Sequence, residues 1–342
     1  MASGSTRNLA EFVRDGMSTL VFAFGYKVGI IDAFIEIKHP CTAEELSQKS
    51  GKKLRYIQEW LSCMIAAGIV NLHDDKYSLP FGEPQLRLWG SVSKLLPIFS
   101  EMFPKLEEVF SENGPRGYGY YEPFLAWLDA HRTPEFLRQW NHDLLIPALN
   151  LKKGTNFTLL DIVCGYGKHT REVANMFPNC MFYGIDSDKI SIDQAIKELQ
   201  ESGQKNIIYS HMKGGQLPED WAEKFDFVLM NDLLHDSHDG DGILKETKRV
   251  LKPDGYGMAY DPPVSSYPEK QVKNITAQFY LPFSLFSCLP VSLSDNVGEG
   301  RGIGWGYERK KQEIEKHGFR VIKVGKQSID TVQEGMVFMK AN

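Results

Sequence analysis

The stretch LLDIVCGYGKHT, Leu159 to Thr170, decides how this chain is read. An apolar run ends in an acid, Asp161, and glycines follow at Gly165 and Gly167. A strand that turns through glycines into a helix brings bare backbone against a ligand, and the first turn of the helix offers unpaired amides to a carboxylate. A dinucleotide loop would carry GxGxxG. The third glycine position here is Thr170, which disfavours NAD, and with it a nicotinamide oxidoreductase. The loop suits a single nucleoside with an amino-acid tail.

Outward from that loop, strands and helices alternate. TLLDIV, CMFYGID, IIYSHM, FDFVLMN and GYGMAYD read as strands, and RVIKVG and GMVFMKA close the chain. KHTREVANMF, SIDQAIKELQES and GILKETKRVL read as the helices between them. Apolar strands separated by helices predict an α/β fold with a Rossmann-like sheet covered on both faces. Ligands of such sheets lie at the carboxyl ends of the strands. Two more polar features fall there: Asp186, where an acid can take both hydroxyls of a ribose, and NDLLHDSHD after the fourth strand.

The amino-terminal third is mainly helical. Thr42 and Glu45 have capping-box spacing. In LRYIQEWLSCMIAAG, Leu54, Ile57, Leu61, Met64 and Ile65 make one stripe, with Gly68 as the stop. Two short strands around Asp74-Asp75 follow. Helix, helix, hairpin is a winged-helix pattern. The expected domains are a winged-helix, dimerisation domain at 1–82, a proline-punctuated helical cap at 83–150, and the sheet domain at 151–342, with a substrate-side insertion near 262–306.

The net charge of -5 argues against a general nucleic-acid binder. No unbroken apolar run reaches the roughly 18 residues of a membrane span, and the first residues do not read as a signal peptide. The five cysteines are scattered without metal-ligand spacing, so reduced thiols, a cytoplasmic location and no metal are expected.

With these residues in view, the carboxyl half resembles a class I S-adenosylmethionine-dependent methyltransferase, whose pattern of acid, x, Gly, x, Gly, x, Gly is met at Asp161, Gly165 and Gly167. RVLKPDG also resembles the family's approach to its fifth strand. LRYIQEWLSCMIAAGIV, LHDSHD and VSLSDNVGEGRGIGWG resemble segments of a subfamily with a winged-helix domain, found in mycobacteria and animals. The resemblance implies S-adenosylmethionine as cofactor. Asp161, Gly165 and Gly167 would surround its methionine part, Asp186 its ribose, Ser187 its adenine, and Asp232 its methionyl end. Two positions depart from the family pattern. Val163 replaces the first loop glycine, where relatives accept alanine or proline, so a negative φ is expected there. Lys213 stands where relatives carry an acid for the adenine amino group, and a lysine cannot accept that hydrogen bond.

Methyl transfer needs an acceptor held in line with the sulfonium and shielded from water. An oxygen acceptor also needs a base. His235 is the candidate base and Asp236 its orienting partner; a helix cap or a place in the cleft wall would explain His235 equally. His238, in an acidic loop, is expected to be solvated. Tyr118, Tyr120, Tyr121, Phe124, His142 and Phe279 are candidates for the acceptor pocket, with core packing as the competing role for the aromatics. The expected activity is methylation of a small molecule at oxygen, nitrogen or sulfur by a homodimer, with no nucleic-acid or membrane partner. The alternative is a catalytically degenerate protein in which the winged helix binds DNA or the second domain binds a ligand, and Lys52, Lys53 and Arg55 keep it open.

Overall fold

The computed structural model describes residues 7–151, 154–294, 298–326 and 334–341, with the side chains of 323–326 and 334 excepted. Residues 295–297 of the glycine-rich segment lie outside the described residues. The chain divides into two compact units, residues 1–104 and 105–342. That division falls within the stretch 83–150 read above as a connecting cap.

In the first unit, α1 (Leu9–Lys27), α2 (Ile30–Ile37), α3 (Ala43–Ser50) and α4 (Leu54–Ala66) precede a hairpin of β1 (Asn71–His73) and β2 (Lys76–Ser78), and α5 (Glu83–Ser93) and α6 (Leu95–Glu101) follow. The capping box forms: the Glu45 amide donates to Thr42 Oγ1 at 3.2 Å and the Thr42 amide to Glu45 Oε2 at 2.8 Å. Ile57, Leu61 and Met64 are fully buried. Asp74 and Asp75 both have positive φ, 46° and 58°, as a tight two-residue hairpin turn requires. Arg55 forms an ion pair with Glu59 one turn along α4.

In the second unit, β3 (Thr158–Ile162), β4 (Met181–Asp186), β5 (Ile207–His211), β6 (Phe225–Asn231), β7 (Leu251–Asp261), β8 (Phe319–Lys326) and β9 (Glu334–Lys340) form one sheet in the order β5-β4-β3-β6-β7-β9-β8. The first five are parallel; β9 runs antiparallel to both β7 and β8. Side chains alternate across the pleat. Leu159 therefore joins the core on one face with Val173 and Ile192. Leu160 and Ile162 join the other with Ile243, Leu244 and Ile314. β3 pairs with β4 on one side and β6 on the other, so the strand order reverses at β3, where such sheets hold ligands.

Two helical runs pass through π turns, at Asn141–Leu145 and Ser284–Cys288. The second lies in Ile275–Ser292, an 18-residue run of mean hydropathy 1.2 that is helical throughout. By length and composition alone it could cross a membrane, contrary to the reading that no run reaches that length. The helix continues through Pro282 and Pro290. Within the unit this run is 44% buried and carries the buried serines Ser284, Ser287 and Ser292.

Candidate active site

The loop after β3 is built by hydrogen bonds to the neighbouring strand. The amides of Val163 and Cys164 both donate to the Ile185 carbonyl, at 2.8 and 3.0 Å. Taking both bonds turns the chain so sharply that Val163 has φ 65°. The expected negative φ is therefore corrected: a β-branched residue sits in the left-handed region, at a cost of roughly 1–2 kcal/mol or more. Gly165 and Gly167 have φ 54° and 70°. A β-carbon on Gly165 would meet open space, whereas one on Gly167 would lie 2.3 Å from the Tyr209 hydroxyl. Gly167 is thus required by packing as well as by φ, and Gly165 leaves room beside the loop. Val163→Gly is expected to stabilise the protein by about 1 kcal/mol, since relieved strain exceeds glycine's entropic cost. Thermal unfolding should then rise by about 2 °C; an unchanged or lower midpoint would contradict the strain.

Asp186, at the end of β4, is buried and organises this loop. Its Oδ2 accepts from the Gly165 amide and its Oδ1 from the Asp188 amide, each at 2.9 Å. Each oxygen keeps a further lone pair. Burial raises its pKa, against the pull of those amides. Asp188 caps the next helix through Ser191 and Ile190. Ser187 is exposed, and its carbonyl meets His211 Nε2 at 3.0 Å. Lys213 is exposed in the turn after β5.

Asp161 is 2% exposed. Its Oδ2 accepts from Thr170 Oγ1 at 2.6 Å, while its Oδ1 is buried without a hydrogen-bond partner. Burial pushes its pKa up to about 7; the Thr170 hydroxyl opposes this and the Asp186 charge adds to it. A buried carboxylate oxygen with no donor fits an ammonium such as that of a methionyl tail. Such a ligand favours the ionised form, so its binding releases a proton at low pH. Affinity for S-adenosylhomocysteine should fall as pH drops below about 7, and Asp161→Asn should flatten that dependence. Titrations at about pH 6 and about pH 8 check it; equal affinities would remove Asp161 from the ammonium site.

Asp232 follows β6 with φ 50°, its amide donating to the Tyr260 carbonyl at 2.8 Å. Arg132 Nη2 donates to its Oδ2 at 3.1 Å. Desolvation nevertheless raises its pKa to about 6. Arg132 carried no sequence signal, nor did Asn141, whose Oδ1 lies 2.7 Å from Nε2 of the buried His169.

His235 is 4% exposed. Its Nδ1 is hydrogen-bonded to Asp261 Oδ1, its Nε2 lies 3.2 Å from Asp236 Oδ1, and its carbonyl accepts from the Gly302 amide at 2.9 Å. Lys310 Nζ, itself buried, lies 3.0 Å from Asp261 Oδ2. Burial works against a charge on His235, but Asp236, Asp261 and Cys288 outweigh it and raise its pKa well above the ordinary value. Asp261, Lys310 and Cys288 were invisible as site residues in the sequence, because each comes from a different distant element.

On the acceptor side, Tyr120 donates to Asp236 Oδ2 at 3.2 Å, and the Tyr118 hydroxyl donates to the Phe286 carbonyl at 2.9 Å. Phe124 is 6% exposed and stacks on Trp127 with centroids 6.1 Å apart. Phe279 packs on Tyr280 and Phe283. Phe124, Trp127, Phe279, Tyr280 and Phe283 make one aromatic cluster. Tyr121 precedes the helix Glu122–His131, with Lys105 Nζ 5.8 Å from its ring centre. His142 does not join the group. Its side chain is 78% exposed and pairs with Asp143 at 3.4 Å; in the π turn the inward residue is Asn141, fully buried. His238, expected in solvent, is half-buried and meets the Val291 carbonyl at 2.8 Å and Ser294 Oγ at 3.0 Å.

Residues 153–281 match the model described as a methyltransferase domain, and residues 16–85 the model described as an Rv2258c-like winged HTH domain. A Nostoc punctiforme structure described as an O-methyltransferase is 17% identical, with TM-score 0.72 over 98% of this chain and 100% of that one. Human N-acetylserotonin methyltransferase, solved with S-adenosylmethionine, is 14% identical, with TM-score 0.60 over 99% and 100% of the two chains. The demethylmenaquinone methyltransferase of Lactobacillus johnsonii is 28% identical over 49% of this chain and 69% of its own length. The chain also matches an uncharacterized Rickettsia prowazekii protein, 28% identical over 25% of this chain, but spans only 15% of that protein's length. The chain carries a methyltransferase domain behind an Rv2258c-like winged HTH domain, on the fold shared by solved methyltransferases that bind S-adenosylmethionine. The orphaned Asp161 oxygen, the open side of Gly165 and the spare lone pairs of Asp186 fit that cofactor.

Proposed function

We propose that this protein methylates a hydroxyl group of a small molecule, with His235 as general base. The buried His235, placed between Asp261 and Asp236 at the end of β6, carries this reading. When bound, S-adenosylmethionine supplies an electrophilic methyl group. Asp161 would face its ammonium and Asp186 its ribose. Asp261 fixes the imidazole through Nδ1 and leaves Nε2 for the acceptor proton. Asp236 and Tyr120 stand beside Nε2, where they can orient the acceptor. An amine or a thiolate acceptor would have less use for such a base. The test offers methyl-labelled cofactor with mixed phenols, amines and thiols. Label on oxygen is expected, and label confined to nitrogen or sulfur would overturn the oxygen assignment.

We also propose a cytoplasmic homodimer formed through the first unit. All five cysteines are unpaired thiols, which suits a reducing compartment. On α1, Leu9, Phe12, Val13, Met17, Leu20 and Phe24 are exposed and fall on one face. A second copy of this chain would cover that face. Phe12→Glu with Met17→Glu should turn a dimer into a monomer in light scattering while S-adenosylhomocysteine binding persists. A monomeric wild type would contradict the proposal.

A further inference from the structure

The side chains around His235 Nε2 form a set that general-base chemistry does not exhaust. One ligand atom each from His235, Asp236 and Cys288 lies within 4.8 Å of the others. Asp236 Oδ1 is buried without a hydrogen-bond partner although it lies 3.2 Å from Nε2. Cys288 ends the π turn and is 7% exposed. We propose that His235 Nε2, the Asp236 carboxylate and the Cys288 thiolate bind a divalent cation of the zinc class, with a fourth position left for water or a ligand.

The donor set fits that class, since imidazole, thiolate and carboxylate are the ligands zinc takes, and three protein ligands with an open position is one of its two usual arrangements. Zinc bonds of about 2.0–2.3 Å place tetrahedral donors roughly 3.5 Å apart, so side chains already within 4.8 Å need about 1 Å of adjustment. The surrounding shell is in place. Asp261 receives Nδ1–H and so presents the Nε2 lone pair, and Lys310 lies against Asp261's other oxygen.

The groups facing the cluster are themselves paired, Asp261 with Lys310, Asp232 with Arg132, and the Tyr120 hydroxyl with Asp236. Binding displaces the Cys288 thiol proton, since the thiolate is the ligand. No spacing announces the site, because Cys288 lies far along the chain from His235 and Asp236.

Only the consequence for turnover rests on His235 being the base: the metal occupies Nε2, so loading should block transfer. Binding itself is tested without any acceptor. Cobalt(II) is titrated into the metal-stripped protein, and calorimetry is repeated in buffers of different ionisation enthalpy. One equivalent should give a thiolate-to-cobalt charge-transfer band and release at least one proton, that of the thiol. Cys288→Ser should lose the band while S-adenosylhomocysteine still binds. No band in the wild type, or a band that persists in Cys288→Ser, would overturn the site. Should that variant fail to fold, Asp236→Asn decides: cobalt affinity at least about tenfold weaker is expected, and unchanged affinity would exclude the proposed ligand set.

Discussion

Asp186→Ala is expected to weaken S-adenosylhomocysteine binding by at least about a hundredfold, the equivalent of ~2.7 kcal/mol. The substitution acts twice. It removes the acceptor assigned to the ribose, and it strips the Gly165 and Asp188 amides of their 2.9 Å partner, loosening the loop on the other side of the ligand. Buried donors left without an acceptor also lower stability, by about 1–3 kcal/mol each. Asp186→Asn separates the two effects. It keeps one carbonyl oxygen for an amide but turns its amino group toward a second donor, so its affinity should fall between alanine and wild type. Calorimetry on all three proteins, beside their melting curves, gives the answer. Binding by Asp186→Ala within about threefold of wild type would remove Asp186 from the ribose site.

His235→Asn is expected to cut kcat by about 10²–10⁴, the usual worth of a positioned base, with S-adenosylhomocysteine affinity unchanged. The accompanying pH dependence is more specific. A base must be unprotonated to act, and His235 is held protonated chiefly by Asp236, with Asp261 assisting, against the effect of burial. Wild-type kcat should therefore climb as pH rises past neutrality. Asp236→Asn removes the largest favourable charge and should shift that climb toward lower pH. A structural role for His235 would lower activity without moving the profile. A flat wild-type profile, or an Asp236→Asn profile shifted to higher pH, would refute the assignment.

The inner strands were legible because apolar runs such as TLLDI are buried on both faces, while β5, at the edge of the sheet, alternates buried and exposed. The capping box at Thr42 was legible because its partners are three residues apart. Long-range partners hid the rest. Nothing near Val163 announces a positive φ; the Ile185 carbonyl on the next strand imposes it. β7 begins at Leu251, earlier than GYGMAYD suggests, because Leu251 pairs with Phe225 across a register shift. His235 could be proposed from its place after β6, but its partners Asp261, Cys288 and Lys310 are gathered by three separate elements. His142 misled for a local reason: a π turn holds its residues at a different angular spacing from an α-helix, so Asn141 turns inward in its place.

That spacing has a consequence for how the site can change. A π turn is an α-helix with a residue too many, held only while its neighbours favour the mismatch. Removing one residue from Ser284–Cys288 would let the helix rewind, and because the π turn spreads one residue more over about the same rotation, the chain after it would stay nearly in phase. The Pro290 carbonyl would keep the Tyr118 amide, from which it now accepts at 3.1 Å, while the side chains within the turn would be redistributed over one place fewer. The acceptor wall can thus be re-indexed locally by a single codon without touching the cofactor loop. Insertion and deletion, more than substitution, would be the coarse dial on what this enzyme accepts.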